Sequence, residues 1–517
     1  MNSVWQSLLW KEWREHRLVL AILAGLFVGI PTLFSLRTPT NFFNILSFTL
    51  IAIPLVSMFL AMNIAAGEQS AGTIHFLQSL PITGRKPATA KLFWAVATAV
   101  VPILIAVGAA ILWSWMLGEA APTAIAHDEE MYNTSQGFWF AARCFTPSVA
   151  SISLILWIAA AGVNRSDEVR AGAIGILVAA SFWLLLSLIH YGFDSLGIRE
   201  PSRLFAFLFS MAPGGVGVLS DGSAFAPEKS SLIAKYWPLA ITGLVSHGAL
   251  AAWYIGRFGR VVPGKPQTIE RPTTAGERQW LAPPMRTPLT AIAWKQLRES
   301  GPLAILGAAC TVVIALSIYV PLRRERDLTP EDILEGMMAM WIIVGLMVST
   351  VAGVGVFMEE LKPGLYSFWR SRPINVDQWF AVKFLAGLLV TVTTLAIPVL
   401  LVIAYLLVAP NTHSIHESLN VKDAARNFSL GMLAQCGVYS VAVASMILLR
   451  RPIHAALASF AVSFVAMIPI SIVGDIARYR LGVDPNVFMA VVVVPLLTIS
   501  VTVVAWIAVR KNWGWKQ

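Results

Sequence analysis

Two acidic residues follow long apolar runs at similar points of the chain, and they are the clearest candidates for polar chemistry. Glu68 follows the apolar run 45–66, and Glu360 follows the run 336–357. A lone carboxylate beside a membrane surface can form a charge-assisted pair that anchors a helix end. We therefore expect Glu68 to pair with a basic residue near the N-terminus, such as Arg14. No set of catalytic side chains accompanies either acid.

The sequence lacks the motifs of common nucleotide-binding and hydrolytic sites. It has no Gly-x-x-x-x-Gly-Lys-Ser/Thr phosphate loop, no His-Glu-x-x-His and no Gly-x-Ser-x-Gly. Its three cysteines lie in or beside apolar runs, which argues against a disulfide framework or a cysteine-based metal site. The apolar runs hold almost no ionisable residue, which disfavours an ion-driven mechanism. We predict that the chain is not an enzyme, holds no cofactor itself and receives energy from another subunit.

The composition predicts an all-α polytopic membrane protein. The 517 residues are 57% hydrophobic and 13% charged, whereas soluble proteins have roughly 25% charged residues. Runs of about 18 or more apolar residues predict membrane-spanning helices. About twelve such runs are present, at 18–36, 45–66, 92–117, 145–163, 171–190, 236–255, 302–321, 336–357, 380–408, 428–449, 453–474 and 487–509.

The distribution of basic residues predicts the orientation. With the N-terminus inside the cell, most of the 38 Lys and Arg residues fall in cytoplasmic segments, as the positive-inside rule requires. We expect a multi-pass protein of the bacterial cytoplasmic (inner) membrane, with both termini in the cytoplasm. The net charge of +10 then reflects topology and contact with anionic lipid headgroups, so we expect no nucleic-acid partner.

Three sequence patterns occur twice in the same order. The first is Trp10-Lys11-x-x-Arg14-Glu15, which recurs as Trp294-Lys295-x-x-Arg298-Glu299. The second is Glu68, Gly72, Pro81-Ile82 and Lys91, which recurs with identical spacing as Glu360, Gly364, Pro373-Ile374 and Lys383. The third is Ala141-Ala142-Arg143-x-Phe145, which recurs as Ala424-Ala425-Arg426-x-Phe428. These matches predict two parallel repeats of six spans, residues 1–260 and 291–517, joined by a Pro-rich cytoplasmic linker over 261–290.

Each predicted half opens on a segment rich in Trp and basic residues, which contains the first of these patterns. Such side chains suit the lipid headgroup zone. We predict that each segment is an interfacial entry helix, lying on the inner face before the chain turns into the membrane. The alternative is an ordinary basic anchor for the first span of each half.

The first cytoplasmic loop of each half has a common order of residues. An acid is followed by Gly four positions later, an apolar-periodic stretch, Pro-Ile and then basic residues. The first copy comprises Glu68, Gly72, Thr73, Leu80, Pro81 and Ile82. The second comprises Glu360, Gly364, Pro373 and Ile374, with Leu365 in place of Thr and Arg372 in place of Leu. This order resembles the coupling loop in membrane subunits of ABC transporters of the ABC-2 export class.

The resemblance covers the whole predicted layout of entry helix, six spans and coupling loop, here duplicated in one chain. It implies a permease that forms a translocation path and couples through both loops to a separate ATPase subunit. It further implies that this ATPase works as a pair and binds the ATP and Mg. The residues of both loop copies would then contact the ATPase or position that contact, and lipid would be the other partner.

A short apolar stretch, 204–212, lies within the long outer segment 191–235 and is too short to cross a membrane. In the ABC-2 class such a segment is a re-entrant or interfacial helix over the translocation path. An amphipathic surface loop is an equally good interpretation of the sequence.

Two other functions are compatible with the sequence. A secondary carrier with two six-helix halves would transport without ATP, although such carriers usually contain a buried charge. A membrane anchor or assembly factor would bind an ATPase and transport nothing. The transported substrate cannot be deduced from these residues.

Overall fold

The computed structural model of the protein describes most of the chain, and every regular element in it is a helix. The described residues are 2–35, 42–70, 72–79, 81–116, 136–165, 168–195, 202–215, 232–260, 287–325, 330–358, 360–361, 375–408, 421–463, 465–466, 488 and 492–512. No strand occurs within these ranges. The predicted all-α class is therefore confirmed.

The helices follow one another along the chain with short breaks. They are α1 (Asn2–Ser35), α2 (Phe42–Ser70), α3 (Ile74–Ser79), α4 (Arg85–Met116), α5 (Gln136–Gly162), α6 (Glu168–Ser195), α7 (Ser202–Met211), α8 (Leu232–Arg257), α9 (Pro288–Glu325), α10 (Pro330–Met358), α11 (Val376–Val408), α12 (Val421–Leu449), α13 (Pro452–Ser463) and α14 (Val494–Arg510). Helix α9 begins inside the predicted linker 261–290, whose residues up to 286 lie outside the described part.

Six helices in the described part are long and apolar enough to cross a membrane, namely α4, α5, α6, α8, α11 and α12. Their surfaces carry large apolar side chains such as Leu244 and Leu389, which are exposed as expected for contact with lipid. A helix suits this environment because it satisfies its own backbone hydrogen bonds. The other six predicted runs fall on α1, α2, α9 and α10, whose side chains are described only in part, and on α13 and α14, which are shorter apolar helices.

Helices α2, α5 and α8 finish at one end of the bundle, and α4 and α6 begin there. Asn164, which follows α5 with a φ of 66°, donates from Nδ2 to the Arg257 carbonyl at the end of α8 over 2.7 Å. The Ser70 hydroxyl donates to the Glu168 carboxylate at the start of α6 over 2.5 Å. We call this end of the molecule the Glu68 face.

The second half of the chain reaches the same face. Arg450 follows α12 and donates to the Asn512 side-chain oxygen after α14 over 2.8 Å. Burial and Lys91 lower the pKa of His16 to about 4, against the opposing effect of Glu15, and His454 at the start of α13 adds a smaller decrease. Ala455 and Ala456 of α13 share one buried core with Leu23 of α1, so the two halves meet here.

The predicted entry helices are not separate helices. Helix α1 runs without interruption from Asn2 to Ser35, and α9 likewise continues from the entry segment into the apolar run. Glu12 and His16 are buried against neighbouring helices, so the segment packs beside the bundle instead of lying flat on the membrane. The stretch between Trp5 and Leu18 contains no Gly or Pro that would break the helix.

Helix α7 re-enters the bundle, which decides between the two interpretations of the stretch 204–212. The carbonyls of Met211 and Pro213 accept hydrogen bonds from the indole N–H groups of Trp157 (3.1 Å) and Trp183 (3.0 Å). The N–H of Gly214 donates to the Ser153 hydroxyl over 2.8 Å. Ser153 lies 11 residues before Asn164, so α7 ends inside the bundle at roughly 16 Å from the Glu68 face. Side chains of α5 and α6 thus satisfy backbone groups where water would be scarce.

His247 on α8 completes this polar site. Its Nδ1 is 2.7 Å from the carbonyl oxygen of Gly243, which can only accept, so Nδ1 carries the proton. Its Nε2 is 2.5 Å from the Ser153 hydroxyl, which therefore donates to it. His247 thus bonds a neighbouring helix, and its role in the described structure is to hold Ser153 beside the end of α7.

A continuous hydrophobic core includes residues of both halves, from Leu23 and Phe59 to Phe357 and Tyr439. Helix α6 of the first half packs along α9 of the second. Helices approach most closely where one of them has a glycine. A Cβ placed on Gly353 of α10 would lie 2.7 Å from the carbonyl oxygen of Tyr439 on α12.

We expect Gly353→Ala to lower the free energy of unfolding by roughly 1–3 kcal/mol, because the added methyl group overpacks the contact between α10 and α12. Gly248→Ala on α8 is the matched control, since a Cβ there meets nothing within 4 Å. Thermal unfolding of the detergent-purified protein measures both variants. Equal stability of the two would contradict the close approach of α10 and α12.

Candidate functional site

Glu68 lies at the centre of a buried ion-pair cluster that joins three helices. Its Oε1 accepts from Lys11 Nζ of α1 at 2.7 Å and from Lys91 Nζ of α4 at 2.9 Å. Lys91 also pairs with Glu12 of α1 at 3.1 Å. Glu68 is only 8% exposed, and Glu12 and Lys91 are still less exposed. The end of α2 is thus fixed to α1 and α4 by charge. We call these four residues the Glu68 cluster.

Glu360 lies at the centre of a second cluster with nearly the same distances. Its Oε1 accepts from Lys295 Nζ of α9 at 2.7 Å and forms a salt bridge with Lys383 Nζ of α11 at 2.6 Å. Lys295 also lies 3.5 Å from Glu299 one turn later, as Lys11 lies 3.8 Å from Glu15. The residues involved are those that recur in the sequence. We call Lys295, Glu360 and Lys383 the Glu360 cluster.

The two clusters differ at one buried position. Glu12 follows Lys11 in the first, whereas Gln296 follows Lys295 in the second. The Gln296 amide donates to Ser300 over 2.5 Å, and its Oε1 has no partner among the described residues. Lys91 therefore has two carboxylate partners, whereas Lys383 has one within the described part of the chain.

Both central carboxylates are held in their ionised form. Burial alone would raise the pKa of Glu68, but Lys91 and Lys11 outweigh burial and lower it to about 2. The pKa of Glu360 is lowered in the same way, with Lys383 and Lys295 overcoming the opposite effect of burial. Burial alone would lower the pKa of Lys295, but Glu360 and Glu299 together outweigh burial and raise it. Both carboxylates therefore remain charged near neutral pH.

Gly72 ends α2 in a Schellman motif, a helix cap with one left-handed residue. Its φ is +72°, its N–H donates to the Gln69 carbonyl over 3.1 Å, and the Thr73 N–H donates to the Glu68 carbonyl over 2.9 Å. The Thr73 hydroxyl also bonds the Glu68 carboxylate. Helix α2 therefore breaks shortly after Glu68, and Thr73 links that carboxylate directly to the next helix.

The short helix α3 follows this cap and lies on the surface of the Glu68 face. Its apolar residues do not all point outward. Ile74 is buried, Leu77 is half-buried, and Gln78 donates to the Gly259 carbonyl after α8 over 2.7 Å. Phe76 is 65% exposed. The available contact surface of α3 therefore centres on Phe76.

The remaining predicted residues are distributed as follows. The entry-helix partner of Glu68 is Lys11, so the suggestion of Arg14 is wrong; Arg14 and Arg298 are both exposed. Trp10 and Trp294 are also exposed, at 62% and 52%. Pro81 is exposed and Ile82 half-buried. Leu80, Gly364, Pro373 and Ile374 lie outside the described residues.

The sequence interpretation missed the contribution of Glu12 and the final turn of the sixth helix in each half. Arg257 stacks over the Trp253 ring at 4.1 Å, and Arg510 over the Trp506 ring at 5.5 Å. This Trp-x-x-x-Arg pair occurs at the ends of both α8 and α14. It was a detectable fourth repeated pattern.

We expect Glu12→Gln to lower the free energy of unfolding by roughly 1–3 kcal/mol, because buried Lys91 loses one of its two carboxylates. Gln296→Glu makes the reverse change in the second half and is expected to cause no loss. Thermal unfolding in detergent compares the two variants. A loss for Gln296→Glu as large as that for Glu12→Gln would refute the difference between the clusters.

Acidification should remove the stabilisation that Glu68 provides. Lowering its pKa from 4.5 to about 2 corresponds to roughly 3 kcal/mol. Because the folded value is the lower one, this contribution is complete above pH 4.5 and decreases as the pH falls toward 2. The difference in stability between the wild type and Glu68→Gln should fall to roughly half or less between pH 7 and pH 3. A difference that stays constant would show that Glu68 is not ion-paired.

The comparisons with known proteins do not assign the chain to a family. No protein-family model matches it, and no curated protein is significantly similar to it. Its function must therefore be argued from the two charge clusters and the surface helix.

Proposed function

We propose that the chain is the membrane-spanning permease subunit of an ATP-driven exporter of the ABC-2 class. It consists of two parallel six-helix repeats, about twelve spans in all, and the Glu68 face is cytoplasmic. A separate ATPase subunit, used as a pair, binds ATP and Mg and docks on this face. The protein resides in the bacterial cytoplasmic membrane with both termini in the cytoplasm.

The single observation that carries the proposal is the mechanical connection of α3. This surface helix offers an exposed Phe76, while Ile74 is anchored in the protein. Its first turn is joined to Glu68 through Thr73, and Glu68 is ion-paired to α1 and α4. A partner that moves α3 would therefore move the ends of three long helices together.

The strength of this connection follows from burial. Removing one partner of a buried ion pair costs roughly 3–5 kcal/mol, so the Glu68 cluster resists separation under load. Salt also screens buried pairs much less than surface pairs. The cluster is thus suited to transmit a displacement from the surface into the bundle.

The repeat architecture is supported by contacts as well as by sequence. The Glu68 and Glu360 clusters join the first three long helices of each half with matching distances. A positive-φ residue ends the fourth helix of each half, at Asn164 and Arg450, and each bonds the segment after the sixth. Since the last helix ends at the face where the first begins, each half has an even number of spans.

The test is purification of the full-length tagged chain after co-expression with candidate P-loop ATPases. A stable complex with two ATPase copies per chain, whose ATP hydrolysis depends on the permease, is the expected result. Failure of every candidate encoded near the gene to associate would overturn the proposal. Transport driven by an ion gradient without ATP would instead indicate a secondary carrier, and ATP hydrolysis without transport would indicate an anchor.

We expect Phe76→Ala to weaken binding of the ATPase at least tenfold while leaving folding intact, because Phe76 is exposed in the free chain. Phe145→Ala is the matched control, since Phe145 is 54% exposed but lies on α5 far from the Glu68 face. Affinity is measured by titrating the ATPase onto the chain in nanodiscs. Equal affinities of the two variants would exclude α3 as the docking element.

A further inference from the structure

A slender apolar cavity lies between the two halves of the chain. Its volume is about 200 Å³, and it is bounded by α2, α5 and α6 on one side and by α9 and α10 on the other. Along α6 its lining extends from Val169 to Trp183, which corresponds to roughly 21 Å of helix. This length and this volume suit one linear chain better than a compact ring system.

The lining offers almost no polar group to a ligand. Every lining side chain is apolar except for the indole N–H of Trp183, and that group already donates to the Pro213 carbonyl. Met58 and Met62 form part of the wall, and both are almost fully buried. A cavity of this kind stays free of water and binds apolar molecules.

One end of the cavity lies near basic residues of the Glu68 face. Val169 lines the cavity, and Arg170 beside it is exposed, as is Arg165 just before α6. Basic side chains at this level attract anionic headgroups by about 1 kcal/mol each. The arrangement therefore combines a hydrocarbon channel with two exposed arginines near one end, Arg165 and Arg170, which we call the basic rim. The neighbouring Glu168 is buried and accepts from Ser70.

We propose that this cavity binds an acyl chain of an anionic phospholipid, with its headgroup at Arg165 and Arg170. The chain enters from the Glu68 face and extends along α6 toward Trp183. This lipid site does not depend on the proposed function. If the proposed function also holds, the site identifies a lipid-like amphiphile as the class of substrate.

The experiment uses photo-crosslinking in vesicles of phosphatidylethanolamine and phosphatidylglycerol, without any ATPase. A trace of phosphatidylglycerol carries a diazirine on its acyl chain, and labelled residues are mapped by mass spectrometry. We expect label on Met58 or Met62, which are 2% and 4% exposed and thus beyond the reach of surrounding lipid. Label restricted to lipid-facing residues such as Leu385 and Leu389 would overturn the proposal.

Cavity-filling variants provide the specificity control. Ala180→Trp fills the cavity, and we expect it to reduce the label on Met58 and Met62 at least fivefold. Ala304→Leu fills the cavity from the opposite wall, and it replaces Ala180→Trp if that larger side chain prevents folding. Ala240→Trp on the exposed surface of α8 should leave the label unchanged. Undiminished label in both cavity variants would refute the site.

The headgroup is tested separately by placing the same diazirine chain on phosphatidylcholine. We expect at least threefold weaker label from this zwitterionic lipid than from phosphatidylglycerol, and a loss of that preference in the double variant Arg165→Gln, Arg170→Gln. Equal label from both lipids would overturn the role of the basic rim. Because no ATPase is present, these results are independent of whether the chain is a permease.

Discussion

A carboxylate that is buried away from water at the end of an apolar helix must be compensated by nearby positive charge. At Glu68 this constraint is met by two lysines from two other helices, and at Glu360 by two more. The compensation fixes how the first, second and third long helices of each half meet. The cap at Gly72, the position of α3 and the exposure of Phe76 all follow from where that meeting point lies.

The same requirement applies to backbone groups inside the bundle. Helix α7 ends among α5, α6 and α8, where its last carbonyls have no water to bond. Trp157 and Trp183 satisfy two of these carbonyls, and Ser153 accepts from the Gly214 N–H. Trp183 also lines the apolar cavity, so the residue that closes the end of α7 leaves no free donor in that cavity.

The sequence predicted the all-α class and identified Glu68, Glu360 and their partner lysines as repeated positions. It predicted a basic partner on the entry segment but chose the wrong residue. Lys11 and Arg14 lie three positions apart on similar sides of α1, so spacing alone cannot separate them. The choice depends on how α1 is rotated about its axis. That rotation is set by packing against α4, and it turns Glu12 and His16 inward and leaves Lys11 at the edge of the contact.

Other features of the site could not be predicted because they depend on distant segments. The apolar spacing of α3 gave no indication that Ile74 is buried, because the residues near the end of α8 that cover it lie far away in sequence. The continuity of α1 was accessible from the sequence, since no Gly or Pro separates the entry segment from the apolar run. The Trp253–Arg257 and Trp506–Arg510 pairs were equally visible and would have strengthened the case for duplication.

The presence of both clusters in one polypeptide has a consequence for symmetry. In a homodimer every substitution appears on both sides of the axis at once. Here Glu12 faces Lys91 while Gln296 occupies the matching place in the second half, so the first side carries one more buried carboxylate than the second. The two sides of the molecule therefore differ chemically. Two identical partners that dock on it would each contact a side with a different arrangement of buried charges.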